Sequence, residues 1–228
     1  MPKRCLHLLD LGIQPYGAVH EIQLALVDKR QSDEIGDVLI LVEHTPVITL
    51  GRRGNEKNIL ASAELLAREG IAVHRVERGG DVTYHGPGQL VGYPILKLTE
   101  YGLGPSDYMH RLEDVIAATL SDYGIGSHRR EKIIGVWVGE NKIAALGVRI
   151  RRGVSFHGFA LNVAPNMRHW EYIIPCGIRD GGVTSLAQEL GSAPPMAEVK
   201  QRVVVHLAER FGVDIAEVLP KELGLDVP

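Results

Sequence analysis

The run from Gly135 to Val163 constrains the fold most. Gly135 to Val138 and Lys142 to Ile150 are strand-like, rich in β-branched and apolar residues, and only Gly139-Glu140-Asn141 joins them. Ser155 to Val163 follows as another strand. A three-residue connection suits a hairpin, whereas parallel neighbours need a long crossover, so the pattern favours a mixed or antiparallel sheet over a doubly wound parallel one. Val38 to Val42, Pro46 to Leu50, Ile71 to Arg78 and Leu90 to Leu98 read as further strands. Helices are expected on either side in sequence. Val19, Ile22 and Leu26 predict one that follows Gln14-Pro15-Tyr16-Gly17 and runs to about Arg30. Ser62 caps a short helix ending near Gly70, and Ser106 caps a longer one carrying Met109, Leu112, Ile116, Leu120 and Tyr123 before Gly124 stops it. Val199, Val203, Leu207 and Phe211 predict a C-terminal helix. The expected fold is α/β (α+β), a mixed, largely antiparallel sheet flanked by helices. The expected organisation is one domain over 1–228, with 192–228 as a small C-terminal helical lobe.

Composition narrows the function classes. A formal charge of −3 offers no broad basic field for nucleic-acid phosphates, although Arg129-Arg130 and Arg149 to Arg152 are locally basic and could dock an acidic protein. The apolar stretch after Lys3-Arg4 is broken by His7 and Asp10 before it could serve as a signal core, and no run approaches membrane-spanning length. The two cysteines, Cys5 and Cys176, are expected as free thiols in a cytoplasmic protein. Neither nucleic acid nor membrane is an expected partner.

Three places can carry chemistry. Cys176 stands in Ile174-Pro175-Cys176-Gly177-Ile178, between a stiffening proline and a permissive glycine, where a thiolate could serve as nucleophile. Such a thiol, with an ordinary pKa of about 8.5, needs a basic or cationic neighbour. His85, His157, His169 and Lys142 are the available candidates, and Lys142 taken by itself fits a solvated hairpin lysine. The segment Arg78-Gly79-Gly80-Asp81-Val82-Thr83-Tyr84-His85-Gly86-Pro87-Gly88-Gln89 allows close approach of backbone to a ligand. It is not a phosphate loop, for no Gly-Lys-Ser/Thr follows, and it fits no dinucleotide fingerprint. The ten histidines are scattered without Cys-x-x-Cys or His-Glu-x-x-His spacing, so no metal is expected. Gly-x-Ser-x-Gly is missing around Ser155 and Ser185, which sets serine catalysis aside.

The Arg78 to Leu90 segment, then Lys142-Ile143-Ala144-Ala145-Leu146-Gly147-Val148-Arg149, then His157-Gly158-Phe159-Ala160-Leu161-Asn162, then Pro175-Cys176-Gly177-Ile178, in this order and spacing, closely resemble the lipoyl(octanoyl) transferase family. The motifs span about half the chain. The resemblance implies a fold like the catalytic domain of biotin and lipoate protein ligases. It implies transfer of octanoyl from octanoyl-acyl carrier protein to a lysine of lipoyl domains, those of 2-oxoacid dehydrogenase E2 subunits and the glycine cleavage H protein. Cys176 matches the family's acyl-thioester nucleophile and Lys142 the lysine paired with it. The substrate-binding positions carried over are Arg78, Gly79, Gly80, Asp81, Val82, Thr83, Tyr84 and His85, then Ala145, Leu146 and Gly147, then Gly158, Phe159 and Ala160. A thioester donor already stores the free energy of amide formation, so no cofactor is expected, and the protein is expected to act as a monomer. Two alternatives stand beside this one: an ATP-dependent lipoate or biotin ligase of the same fold, and a non-catalytic module that binds carrier or lipoyl domains.

Overall fold

The structure is a computed structural model and describes residues 3–131, 133–175 and 181–225. In chain order the elements are β1 (Arg4–Gln14), α1 (Tyr16–Gln31), β2 (Asp37–His44), β3 (Val47–Leu50), α2 (Ala63–Arg68), β4 (Ala72–Arg75), β5 (Val82–His85) and β6 (Gln89–Ile95). They continue with α3 (Pro105–Ser121), β7 (His128–Arg130), β8 (Ile133–Val138), β9 (Asn141–Arg151), β10 (Val154–Asn162), β11 (Gly182–Val183), α4 (Leu186–Leu190), α5 (Met196–Phe211) and β12 (Val213–Glu217).

The large sheet runs β12-β1-β2-β6-β10-β9-β8-β7, with β11 added beside β9. From β2 to β7 each neighbouring pair is antiparallel, as the short connections predict. The pairs β1–β12, β1–β2 and β9–β11 are parallel, which makes the sheet mixed. A second sheet, β4-β3-β5, stands apart.

The apolar run of β2 is continuous because both of its faces are covered. Leu39 and Leu41 point into a core built with Leu112, Val115 and Ile116 of α3 and Val199, Val203 and Leu207 of α5. Val38, Ile40 and Val42 point into the opposite core with Val19, Leu26 and Val27 of α1. The small sheet packs its own cluster, in which Ile48, Val82 and Tyr84 meet Leu66, Trp170 and Ile173. At the far end of α1, Arg30 donates to Asp37 (2.7 Å) and Glu100 (2.8 Å), and Asp37 also accepts from the Tyr101 hydroxyl and the Lys97 amide. The buried Asp37 carboxylate is thus fully engaged, as a buried charge must be.

Two expectations need correction. α3 begins at Pro105 with Gly104 as N-cap, not at Ser106, because proline at the first helical position has its φ preset and no N–H to lose. Strand β1 was not expected at all. Its leucines serve two faces, Leu6 one core and Leu9 and Leu11 the other, and its register shifts between Asp10 and Ile13, so no clean alternation shows.

The sheet closes tightly where β6, β9 and β10 meet. Gly158 pairs with Gly147 and lies against β6, where an added Cβ would stand 2.1 Å from the Gly92 carbonyl oxygen. Gly158→Ala should therefore destabilise the protein by about 2–4 kcal/mol. Gly126→Ala, with open space around it, should shift stability by no more than about 0.5 kcal/mol in either direction. Urea unfolding of both variants checks the pair, and a Gly158→Ala midpoint equal to wild type would refute the close approach.

Candidate active site

A cavity opens between α1, the 78–80 loop and the middle of β9 and β10. Its walls come from Tyr16, Arg78, Gly79, Gly80, Thr83, His85, Val91, Tyr93, Ala145, Leu146, Gly147, His157, Gly158, Phe159 and Ala160. Glycine makes the geometry possible. The Gly79 amide donates to the Val148 carbonyl at 3.1 Å, so the loop lies directly on β9, and a Cβ on Gly147 would stand 2.9 Å from the Gly79 oxygen. Arg78 fixes the loop from beneath. Its buried guanidinium donates to the Thr49 carbonyl (2.6 Å) and hydroxyl (2.8 Å), the Asp81 carbonyl (2.8 Å) and the Gly79 carbonyl (3.0 Å).

Of the positions carried over from the family, Arg78, Gly79, Gly80, Thr83 and His85, together with Ala145 to Gly147 and Gly158 to Ala160, share this cavity. Asp81, Val82 and Tyr84 do not line it. Residues 82–85 form strand β5, and the twofold period of a strand turns Thr83 and His85 inward while Val82 and Tyr84 pack into the small-sheet core. Tyr84 donates from its hydroxyl to His169 Nδ1 (2.7 Å), or accepts from it, and the Asp81 carboxylate accepts from the Asn55 amide (2.8 Å) and the Asn58 side chain. Both organise the loop rather than the cavity.

The side chains that the residue-by-residue reading missed are Tyr16, Val91 and Tyr93, and His157, weighed there only as a thiol partner. Three imidazoles are buried in or next to this wall: His44, His85 and His157. His44 Nδ1 must carry the proton, because it faces the Gln14 carbonyl at 3.1 Å, and its Nε2 then accepts from the Tyr93 hydroxyl at 2.8 Å. Burial holds this imidazole down at about 4. His85 donates from Nδ1 to Gln89 Oε1 (2.7 Å), since the Gln89 amide nitrogen is committed to the Tyr84 carbonyl and Asn162 Oδ1. Burial holds His85 at about 3, helped by the neighbouring His44. Asn162 passes the chain on to the Thr184 carbonyl (2.9 Å), and the Thr184 amide donates to the Lys142 carbonyl (3.0 Å). A polar relay thus links the cavity wall to the start of β9.

Lys142 is not the solvated hairpin lysine that its sequence position suggests. It is buried, with Nζ 3.1 Å from the Ile134 carbonyl, to which it donates, and 4.9 Å from the centre of the Trp137 ring. It borders a smaller cavity with Thr83, Ala145, Ala160, Asn162, Trp170, Pro175 and Val183. Thr83, Ala145 and Ala160 line both spaces, so the lysine cavity adjoins the larger one. A third, more open space continues outward past Trp137, Lys142, Pro175 and Gly181. Cys176 lies outside the described residues. The residues that bracket it, Pro175 and Gly181, both border the space that Lys142 borders. Three arginines of the basic clusters are engaged within the protein: Arg129 pairs with Glu113 and Asp114, Arg130 with Glu140, and Arg151 with Asp28.

The family model of the lipoyl protein ligase A/B catalytic domain matches residues 15–208, and the chain belongs to this family. Its sequence relatives place it with the octanoyltransferases. It is 46% identical over 215 residues to the octanoyltransferase of Alkaliphilus metalliredigens, covering 94% of this chain and 99% of that one. It is 48% identical over 208 residues to that of Solibacter usitatus, covering 91% and 94%. Among solved structures it resembles a putative lipoate protein ligase from T. acidophilum (TM-score 0.71, 15% identity, 96% of this chain and 89% of that one). It also resembles the biotin protein ligase of Aquifex aeolicus (TM-score 0.53, 14% identity, 92% and 71%). At these identities the structural likeness speaks for the fold, which is the one expected.

The buried imidazoles set a pH dependence. Burial lowers His157 to about 3, as it does His85, so with His44 at about 4 all three are neutral in the folded protein and ionise near 6.5 when it unfolds. The unfolded chain therefore binds more protons below pH 6.5, and the stability present above that value is lost as pH falls towards 4. Each histidine contributes a loss on the order of 2 kcal/mol between pH 7 and pH 5. Thermal unfolding across this window should show a steep fall in Tm, lessened by replacing His44 with a neutral residue. A flat profile would show that these rings are hydrated or charged in the native state.

Proposed function

We infer that the protein transfers octanoyl to a lysine of a lipoyl domain, with octanoyl-acyl carrier protein as donor and a Cys176 thioester as intermediate. The observation that carries this reading is the adjacency of Lys142's cavity to the glycine-floored one through Thr83, Ala145 and Ala160. An acyl chain suits the apolar lining of Val91, Ala145, Leu146, Phe159 and Ala160, and with its chain directed there and its head towards the adjoining space its carbonyl comes beside Lys142. Pro175, the sequence neighbour of Cys176, borders that same place.

The chemistry follows from the groups. The Cys176 thiolate attacks the carrier thioester carbonyl, the tetrahedral intermediate collapses, and the carrier thiol leaves with a proton. The neutral amine of the acceptor lysine attacks the acyl-enzyme, the Cys176 thiolate is expelled, and the amine loses its proton as the amide forms. Lys142 stands as a cation next to the thiolate, gives its proton to the departing carrier thiolate, and as a neutral amine takes up the proton that the acceptor amine loses in the second half. The two groups titrate as one coupled system. Its burial against Trp137 and its bond to the Ile134 carbonyl hold the ammonium in one position. The protein works as a monomer in the cytoplasm, and among the described residues no helix is long and apolar enough to cross a membrane. Acceptors are the lipoyl domains of 2-oxoacid dehydrogenase E2 subunits and the glycine cleavage H protein.

Incubation with octanoyl-acyl carrier protein in the absence of nucleotide, followed by intact mass, should reveal one octanoyl adduct on the wild type and none on Cys176→Ala. Lys142→Ala should lower the rate of octanoylation of a lipoyl domain by about two to four powers of ten. An enzyme that forms no adduct and instead modifies the domain from free acid and ATP would overturn the reading in favour of a ligase.

A further inference from the structure

Five buried polar atoms without a hydrogen-bond partner gather beside the larger cavity: the Tyr16 hydroxyl, His20 Nδ1, Gln23 Nε2 and both ring nitrogens of His157. Tyr16, His20 and Gln23 are one turn apart along α1 and face β10 together. The rings of Tyr16 and His20 are 6.0 Å apart and those of His20 and His157 5.4 Å, while Gln23 Oε1 accepts from the His157 amide at 2.8 Å. Buried polar groups are normally satisfied, so a concentration of unsatisfied ones requires a physical reason. His157 also adopts φ +56°, a left-handed conformation uncommon outside glycine, although histidine, like asparagine and aspartate, takes it more readily than most.

Glu77 brings a carboxylate to the same place. Its Oε2 lies 3.4 Å from His20 Nε2, and one ligand atom from each of His20, Glu77 and His157 lies within 4.8 Å of the others. We propose that His20, Glu77 and His157 form a binding site for a borderline divalent transition-metal cation of the zinc class.

Two imidazoles and a carboxylate are the donor set of three-ligand zinc sites that keep a fourth position open. Metal–ligand bonds of about 2.0–2.1 Å place tetrahedral donors roughly 3.4 Å apart. His20 and Glu77 already stand at that separation, and the half-exposed Glu77 side chain is free to follow a cation towards His157. His157 also lines the larger cavity, so the cation stands in the wall of that space. The three ligands come from a helix, a loop and a strand, which is why sequence spacing carries no sign of them. The site does not depend on the octanoyl reading.

Titration of chelator-stripped, full-length enzyme with cobalt(II) tests it. One equivalent should bind, with the visible absorption of four- or five-coordinate nitrogen–oxygen cobalt, no thiolate-to-cobalt band, and displacement by zinc. His20→Ala and Glu77→Gln, at positions outside the core, should each weaken binding about tenfold or more. His110→Ala, an exposed histidine on α3, should leave it unchanged; circular dichroism confirms that the variants fold. The proposal is overturned by the lack of saturable one-equivalent binding, by equal affinity in His20→Ala and Glu77→Gln, or by a thiolate band that assigns the metal to cysteine.

Discussion

The structure depends on backbone meeting backbone at Gly147, Gly158 and Gly79. On an ordinary sheet a side chain would fill the space between the β9–β10 ladder and whatever crosses it. Here a Cβ at Gly147 would collide with the Gly79 oxygen, and one at Gly158 with the Gly92 oxygen. Absence of side chains lets the 78–80 loop donate to Val148 and roof a cavity whose floor is main chain. The arrangement is rigid, because Arg78 ties the roof to Thr49 of β3 with bonds that a charged donor makes strong. The small sheet and the large sheet are thereby fixed to each other at the cavity.

The same closeness explains the polarity around the cavity. Tyr16, His44, His85, Tyr93 and His157 cluster where α1 crosses β6 and β10. Aromatic rings fill the volume that glycine leaves, and their polar edges find one another: His44 with Tyr93, His85 with Gln89. Burial makes the imidazoles neutral, so these rings offer hydrogen bonds without charge, and the charge in the wall is the Arg78 guanidinium, engaged by the carbonyls of Thr49, Gly79 and Asp81.

Much of this was legible in the sequence, for identifiable reasons. The antiparallel centre was, because Gly139-Glu140-Asn141 is too short for anything else. The cavity residues on β9 and β10 were named through the family resemblance carried by Lys142 to Arg149 and His157 to Asn162, and not through strand pattern. The small strand β5 was hidden, since Val82 to His85 is enclosed by glycines that read as a loop, and with it went the distinction between inward Thr83 and His85 and outward Val82 and Tyr84. β12 was hidden because five residues after a helix carry too little pattern, although their pairing with β1 closes the edge of the sheet. Tyr16 was visible only as part of a turn-prone tetrapeptide, and nothing local tells that a helix will aim its first residue into a cavity.

Lys142 is the instructive case, because its residue type and its place after a hairpin both argue for solvent. What buries it is the strand beside it. β8 pairs Trp137 with Lys142, β11 pairs Val183 with it from the other side, and Trp170 and Pro175 line the space it borders. A lysine at the end of an edge strand would escape into water along its flexible stem. In the interior of a mixed sheet it cannot, so its ammonium is held where the Ile134 carbonyl and the Trp137 ring receive it. β9 therefore carries both the cation and, from Ala145 to Gly147, the wall of the larger cavity. At about 3.3 Å per residue, their separation is set by the strand and not by a loop. On the function proposed here, that rigid spacing is what aligns the carbonyl of a seated acyl chain with the group that activates its transfer.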